Sequence, residues 1–275
     1  MKEVLFFVFI LVFHVSETDA QSYPLQKQDV PEIVFSVDFS KDTVGIYSSD
    51  DVKKDFENIK WVLTKKRAEI KKEEGRGNVL RVSYPKGSLG SHEGGIQFVR
   101  ELPERNEYYL DYYIKAEEGF DFRKGGKLPG LTSGGEKYTG GFHPEHGEGW
   151  STRYMWVKDG YLIVYLYYVD MKGKYGDHID LKNCRLEPGK WHRLTQHIVL
   201  NTHNKKNGWI QVWFDEKKVV DERRVRLRLN NLGLIDAFYF STFHGGSSLG
   251  WVPENDSFMR FDNITVSKAA PDFMK

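Results

Sequence analysis

From Gly77 onward the chain is a succession of short runs rich in aromatic and β-branched residues, separated by Gly, Pro, Asn or Asp. That punctuation restricts it to an all-β sandwich. Strands are expected at Val79 to Tyr84, Gly95 to Arg100, Tyr108 to Ala116, Tyr154 to Trp156 and Tyr161 to Val169. Further strands are expected at Trp191 to Leu200, Trp209 to Phe214, Lys217 to Asp221, Ala237 to Thr242 and Met259 to Val266, with Ile33 to Phe39 ahead of them all. No long amphipathic helical pattern alternates with these runs, which argues against a parallel α/β fold. Asp50 to Arg76 mixes both signs of charge and reads as a helix or a twisted hairpin with a solvated face.

The first twenty residues carry one lysine, an apolar run from Val4 to Phe13 and a small residue at Ala20. A bilayer-spanning helix needs roughly 20 apolar residues, so residues 1–20 read as a signal peptide and the protein as secreted. Residues 21–275 are then one domain, a length that a single all-β unit accommodates. Tyr23 to Pro31 is expected to be an extended arm. No later stretch is long and apolar enough to suggest a membrane span.

Removing the leader raises the formal charge from +1 to +3, because one basic and three acidic side chains leave with it. So balanced a chain does not point to nucleic acid. The single cysteine, Cys184, allows no intrachain disulfide and reads as a small buried hydrophobe. Asn255-Asp-Ser and Asn263-Ile-Thr are glycosylation sequons, in keeping with a secreted surface. No cofactor is implied, and the protein is expected to act as a monomer.

The chemistry concentrates between Lys124 and Tyr168. In G-W-S-T-R-Y-M-W a two-residue spacing puts Ser151 and Arg153 on one face of a strand, and the next run shares Tyr165 and Tyr167 on a face. The K-D-G turn at 158–160 joins the two as a hairpin, so register decides whether the arginine meets the tyrosines. Arginine offers a planar donor fork matched to a carboxylate, while a phenol with a pKa near 10 transfers protons only with help from its neighbours. K-G-G-K-L-P-G-L reads as a rigid loop presenting Lys127 at a cleft edge. These are residue types suited to holding an acidic sugar and moving a proton.

The Gly/His loop holds His143, Glu145, His146 and Glu148. It lacks the helical spacing of a zinc site, so no metal is expected, and His143 is a candidate substrate contact. On the run from Trp209, the residues Trp209, Gln211 and Trp213 share the face opposite Ile210, Val212 and Phe214. Flat rings beside a hydrogen-bonding amide suit a sheet lying against a sugar chain, although packed tryptophans give the same pattern.

With K-G-G-K-L-P-G-L, W-S-T-R-Y-M-W, Y-L-Y, P-G-K-W-H-R, S-T-F-H-G-G and F-D-N-I in place, the chain resembles polysaccharide lyase family 14, the alginate-lyase-like enzymes. It is more distantly similar to the family 20 glucuronan lyases. The resemblance implies a β-jelly roll of two antiparallel sheets with a concave cleft, and β-elimination of an acidic polysaccharide such as alginate, polymannuronate or glucuronan. It places the functional lysine at Lys127, the serine and arginine at Ser151 and Arg153, and the two tyrosines at Tyr165 and Tyr167. In this scheme Arg153 and Lys127 meet the carboxylate, a tyrosine takes or delivers the proton, and Ser151 orients the sugar. A non-catalytic glycan-binding module with Trp209 and Trp213 as platforms is the alternative, and a glycoside hydrolase ranks third for want of a closely spaced acidic pair.

Overall fold

Along Ile235–His244 the inward set Phe238 and Phe240 alternates with the outward set Tyr239, Ser241 and Phe243, so one side of the strand joins a core and the other faces away. The computed structural model describes residues 33–274. The leader assigned to residues 1–20 and the arm expected over 23–31 lie outside the described residues.

In chain order the strands are β1 (Ile33–Val37), β2 (Gly45–Ile46), β3 (Ile59–Leu63), β4 (Ala68–Glu73), β5 (Gly77–Tyr84), β6 (Ile96–Arg105), β7 (Glu107–Ala116) and β8 (Gly125–Ser133). They continue as β9 (Trp150–Val157), β10 (Tyr161–Tyr167), β11 (Asp177–Arg185), β12 (His192–Val199), β13 (Gly208–Phe214), β14 (Lys217–Val225), β15 (Ile235–His244) and β16 (Ser257–Ser267). One sheet has the order β14-β13-β12-β7-β16-β5-β4-β2, with β1 also on β16, and the other has β11-β10-β9-β8-β15-β6-β3. All pairings are antiparallel. The result is the two-sheet jelly-roll sandwich that the strand pattern and the family resemblance anticipate.

The core between the sheets is strongly aromatic. Phe98 stacks on Phe240 with centroids 4.8 Å apart, Phe56 lies 4.6 Å from Phe98, and Phe261 of the other sheet meets Phe240 edge-on at 4.9 Å. Burying a side chain of this size stabilises the fold by about 1.5–3 kcal/mol, and ring geometry adds to it. With no disulfide among the described residues, this packing and the hydrogen-bonded ladders carry the stability.

The charge-rich segment begins as a helix and continues as two strands. Helix α1 (Ser49–Phe56) starts at a capping box in which Ser48 accepts from the Asp51 amide and the Asp51 carboxylate accepts from the Ser48 amide. The two strands that follow do not form a hairpin: β3 pairs with β6 in one sheet and β4 with β5 in the other. Their apolar residues serve two facing surfaces, so the chain crosses the sandwich between them.

Candidate active site

The hairpin of β9 and β10 builds the centre of the site. Asp159 (φ 60) and Gly160 (φ 81) turn the chain in the left-handed region, and the ladder pairs Arg153 with Tyr165 and Ser151 with Tyr167. Thr152, Tyr154 and Trp156 point inward opposite Leu166, Val164 and Leu162. That inward set pins the register, because a one-residue slip would turn the whole core set outward. Arg153 and both tyrosines therefore share the outer face of the seven-stranded sheet.

Lys127 joins them from β8, a strand and not the rigid loop that its glycines and proline suggest. The glycines permit close approach inside the sheet. A β-carbon at Gly126 would fall 2.1 Å from the Trp156 ring, and one at Gly130 would fall 2.4 Å from the Thr152 carbonyl oxygen. The ladder shifts between Leu128 and Gly130, which accommodates Pro129 at a bulge. Lys127 pairs with Met155 on one side and Phe243 on the other.

The charges here are under-compensated. Arg153 is 2 % exposed, its Nη1 donates to Ser241 Oγ at 3.1 Å, and its Nε has no hydrogen-bond partner. The guanidinium carbon lies 5.2 Å from the centre of the Tyr239 ring, and among the described residues no carboxylate comes within ion-pair distance of it. Lys127 Nζ lies 2.7 Å from Met155 Sδ and 3.9 Å from the centre of the Tyr165 ring. Burial, reinforced by the Arg153 charge, holds its amine well below the ordinary lysine range. Burial also lowers the Arg153 guanidinium and, together with the Tyr167 hydroxyl, raises the Tyr165 phenol.

Three further residues complete the floor. Gln97 of β6 donates to the Tyr239 hydroxyl and, at 3.0 Å, to Ser241 Oγ, so a polar chain runs from β6 through β15 to Arg153. Gln97, Tyr239 and Ser241 escape a reading of single motifs because they lie on strands far apart in sequence. The one available hint is S-T-F-H-G-G, which contains Ser241.

Ser151 and Tyr167 hold the loop that connects β8 to β9. Ser151 is fully buried and donates to the Tyr138 carbonyl at 2.8 Å, while the Tyr167 hydroxyl accepts from the Gly141 amide at 3.1 Å and lies 3.4 Å from the Tyr165 hydroxyl. With its oxygen enclosed beneath the loop, Ser151 does not face the cleft as a sugar-orienting group. At Gly134 the loop is anchored to both oxygens of Asp236 at 2.9 Å. His143 sits in this loop, half-buried, with Nε2 enclosed and unpartnered, and it makes no hydrogen bond or ring contact with Lys127, Arg153 or Tyr165. Among the described residues no group of His, Cys, Asp or Glu gathers as a metal site.

Trp209, Gln211 and Trp213 are not in this cleft. Their alternation is as expected, with Ile210 and Val212 buried, but β13 belongs to the nine-stranded sheet, whose outer face lies on the opposite side of the sandwich. There Arg223 covers Trp209 at 4.6 Å and Lys218 covers Trp213 at 5.3 Å, while Gln211 bonds His197 and Asp221. Inward and outward faces are legible in one strand, whereas its choice of sheet is not. Cys184 is half-buried against the core and its thiol is pushed up by burial. Asn255 and Asn263 are exposed.

Known proteins carry the same architecture. The alginate lyase Aly36B is 28% identical, with a TM-score of 0.76 over 88% of this chain and 99% of that one. A marine alginate lyase from Aplysia kurodai is 25% identical, with a TM-score of 0.73 over 87% of this chain and 99% of that one. An endo-β-1,4-glucuronan lyase from the fungus Trichoderma reesei, 13% identical with a TM-score of 0.54 over 86% and 96% of the two chains, shares the fold. No curated protein sequence matches. The Polysaccharide lyase 14 family model matches residues 72–264, a span that holds Gln97, Lys127, Arg153, Tyr165, Tyr239 and Ser241. The chain therefore belongs to polysaccharide lyase family 14 and is a polysaccharide lyase.

Proposed function

We propose that the protein is a secreted lyase that cleaves a uronic-acid polymer, alginate foremost, by β-elimination. The observation that carries this reading is Arg153: a buried cation with no acidic partner, beside an amine held toward neutrality and a phenol held protonated. An unpaired buried charge costs several kcal/mol, and a substrate carboxylate supplies the missing partner. The alginate tetrasaccharide and trisaccharide complexes of Aly36B variants support an acidic polysaccharide as the ligand class.

Arg153 binds the uronate carboxylate and stabilises the negative charge that builds on it as the C5 proton leaves. Neutral Lys127 takes that proton. The C5–H electron pair forms the C4=C5 double bond, the C4–O4 bond breaks, and the departing O4 receives the Tyr165 proton. The Lys127 ammonium then returns a proton to the neighbouring Tyr165 phenolate. This assignment sharpens the expectation that a tyrosine takes or delivers the proton: a phenol displaced upward stays protonated, so it has a proton to deliver to O4 and no phenolate to take one from C5.

The product carries a double bond conjugated to its carboxylate, so ultraviolet absorbance rises as polymer is cut. Purified protein is expected to give that rise on at least one of polymannuronate, polyguluronate and glucuronan. A folded sample silent on all three refutes the reading. Secretion rests on the leader pattern of residues 1–20, and an N-terminus near Gln21 on protein recovered from the medium is its test.

A further inference from the structure

The ladder that pairs Tyr165 with Arg153 on β9 pairs it on its other side with His178 on β11. Arg153, Tyr165 and His178 therefore stand in a row on the outer face of the seven-stranded sheet. Side chains directly opposite each other have β-carbons about 4.5–5.5 Å apart. His178 is exposed on this edge strand and makes no hydrogen bond, ion pair or ring contact with another described residue. It also borders a cavity of about 610 Å³ that reaches round the sheet edge to β14.

The loop from β10 to β11 is fastened beside the same tyrosines. Met171 is buried against Tyr138 and Tyr167, and Tyr165 packs on that cluster. A β-carbon at Gly176 would fall 2.3 Å from the Leu166 carbonyl oxygen and 2.9 Å from the Tyr167 ring. A β-carbon at Gly141 would meet the Lys174 stem at 3.7 Å, and the Gly141 amide donates to the Tyr167 hydroxyl. Two loops thus meet beyond Tyr167, and Lys174 lies at their junction. Its amine is exposed, 5.7 Å from the centre of the Tyr175 ring, and has no ion-pair partner among the described residues. The Tyr175 ring is itself 59 % exposed. Nearby carboxylates are engaged or set apart. Asp177 accepts from Tyr168 at 3.1 Å, and Asp170 pairs with Arg226 and Lys206. Asp180 lies about 7 Å further along β11 from His178, away from the loop.

In β-elimination the C4–O4 bond breaks and the oxygen leaves on the neighbouring sugar, as that sugar's new anomeric hydroxyl. Tyr165 gives its proton to this oxygen, while Arg153 holds the carboxylate of the unit that loses its C5 proton. The departing sugar therefore lies on the side of Tyr165 away from Arg153, which is the β11 side. We propose that Lys174 and His178 form a leaving-side subsite, which binds the carboxylate of the uronide unit that departs with O4. The proposal rests on the polyuronate lyase reading and adds a direction to it: the non-reducing part of the polymer lies over β11.

The test is kcat and KM on the polyuronate that the native enzyme cuts best. Lys174→Glu is expected to raise KM about tenfold, with kcat within about twofold of native, and added salt is expected to narrow the gap. Lys174→Arg is expected to keep the native KM, and His178→Ala to raise it about threefold. Lys66→Glu, in the turn between β3 and β4 beyond the opposite edge of the sheet, is the control for general attraction of a polyanion and is expected to leave KM unchanged. Native KM in both Lys174→Glu and His178→Ala overturns the subsite, as does a loss of kcat at unchanged KM or an equal rise in KM in Lys66→Glu. Each of these leaves the lyase reading standing. A native protein that releases no unsaturated product from any polyuronate overturns that reading and the subsite with it.

Discussion

The outer faces of the two sheets treat charge in opposite ways. On the nine-stranded sheet Arg81 pairs with both oxygens of Glu117 at 2.8 Å and with Glu69 at 2.7 Å, Arg260 bridges Glu117 and Glu73, and Lys115 also pairs with Glu73. Arg76 adds an ion pair to Asp262 and lies over the Tyr113 and Trp191 rings. Each of these cations has an anionic partner. On the seven-stranded sheet Arg153 has a serine hydroxyl and Lys127 a thioether and a ring. Compensated charge stabilises this protein; uncompensated charge marks the proposed substrate site.

Substitutions at the two faces should separate these roles. Lys127→Ala removes the proposed base, and turnover is expected to fall by roughly 10²–10⁴-fold in the absorbance assay; near-native turnover would remove Lys127 from proton transfer. Arg153→Met is expected to lose about 100-fold or more in turnover with no fall in Tm, because it deletes a buried charge that has no partner. A large drop in Tm would mean that Arg153 is structural after all, and the contrast between the faces would fail.

The tyrosines should divide. Tyr165→Phe loses the acid and is expected to cost at least about tenfold in turnover, whereas Tyr167→Phe, whose hydroxyl holds Gly141, is expected to cost about 1 kcal/mol of stability and less activity. The pH profile checks the same assignment. Lys127 must be neutral to act, so kcat/KM rises with pH through a titration below the ordinary lysine range. It falls only where Tyr165 ionises, above the ordinary tyrosine range, and Tyr165→Phe removes that falling limb.

At the other face Arg260→Met breaks two ion pairs and is expected to cost about 1–3 kcal/mol by denaturant unfolding, at unchanged turnover per folded molecule. Ser151→Ala should have the smallest effect. It frees the Tyr138 carbonyl, for about 1 kcal/mol of stability and a turnover change below about tenfold. Loss on the scale of Arg153→Met, without loosening of the fold, would return Ser151 to the substrate.

Much of this was readable in the amino-acid sequence because side-chain alternation is local. The aromatic strands on either side of the site announce themselves, and so does the hairpin that brings Arg153 to Tyr165. Strand β8 was hidden because Gly126 and Gly130 look like turn residues until the Trp156 ring and the Thr152 carbonyl that crowd them are in view. Trp209 and Trp213 fell on the wrong side of the molecule because pairing partners are chosen over long distances. For the same reason Gln97, Tyr239 and Ser241 come together only in the folded sheet.

Strand β15 is inserted between β8 and β6, although more than a hundred residues separate it from either of them. Until Ile235–His244 has been synthesised, the catalytic sheet exists only as two unjoined fragments, and Arg153 lacks its Ser241 contact. Slow closure of such distant pairings is the ordinary cost of this topology. In chain order, the sheet that carries Arg153 is therefore joined only by the chain's next-to-last strand.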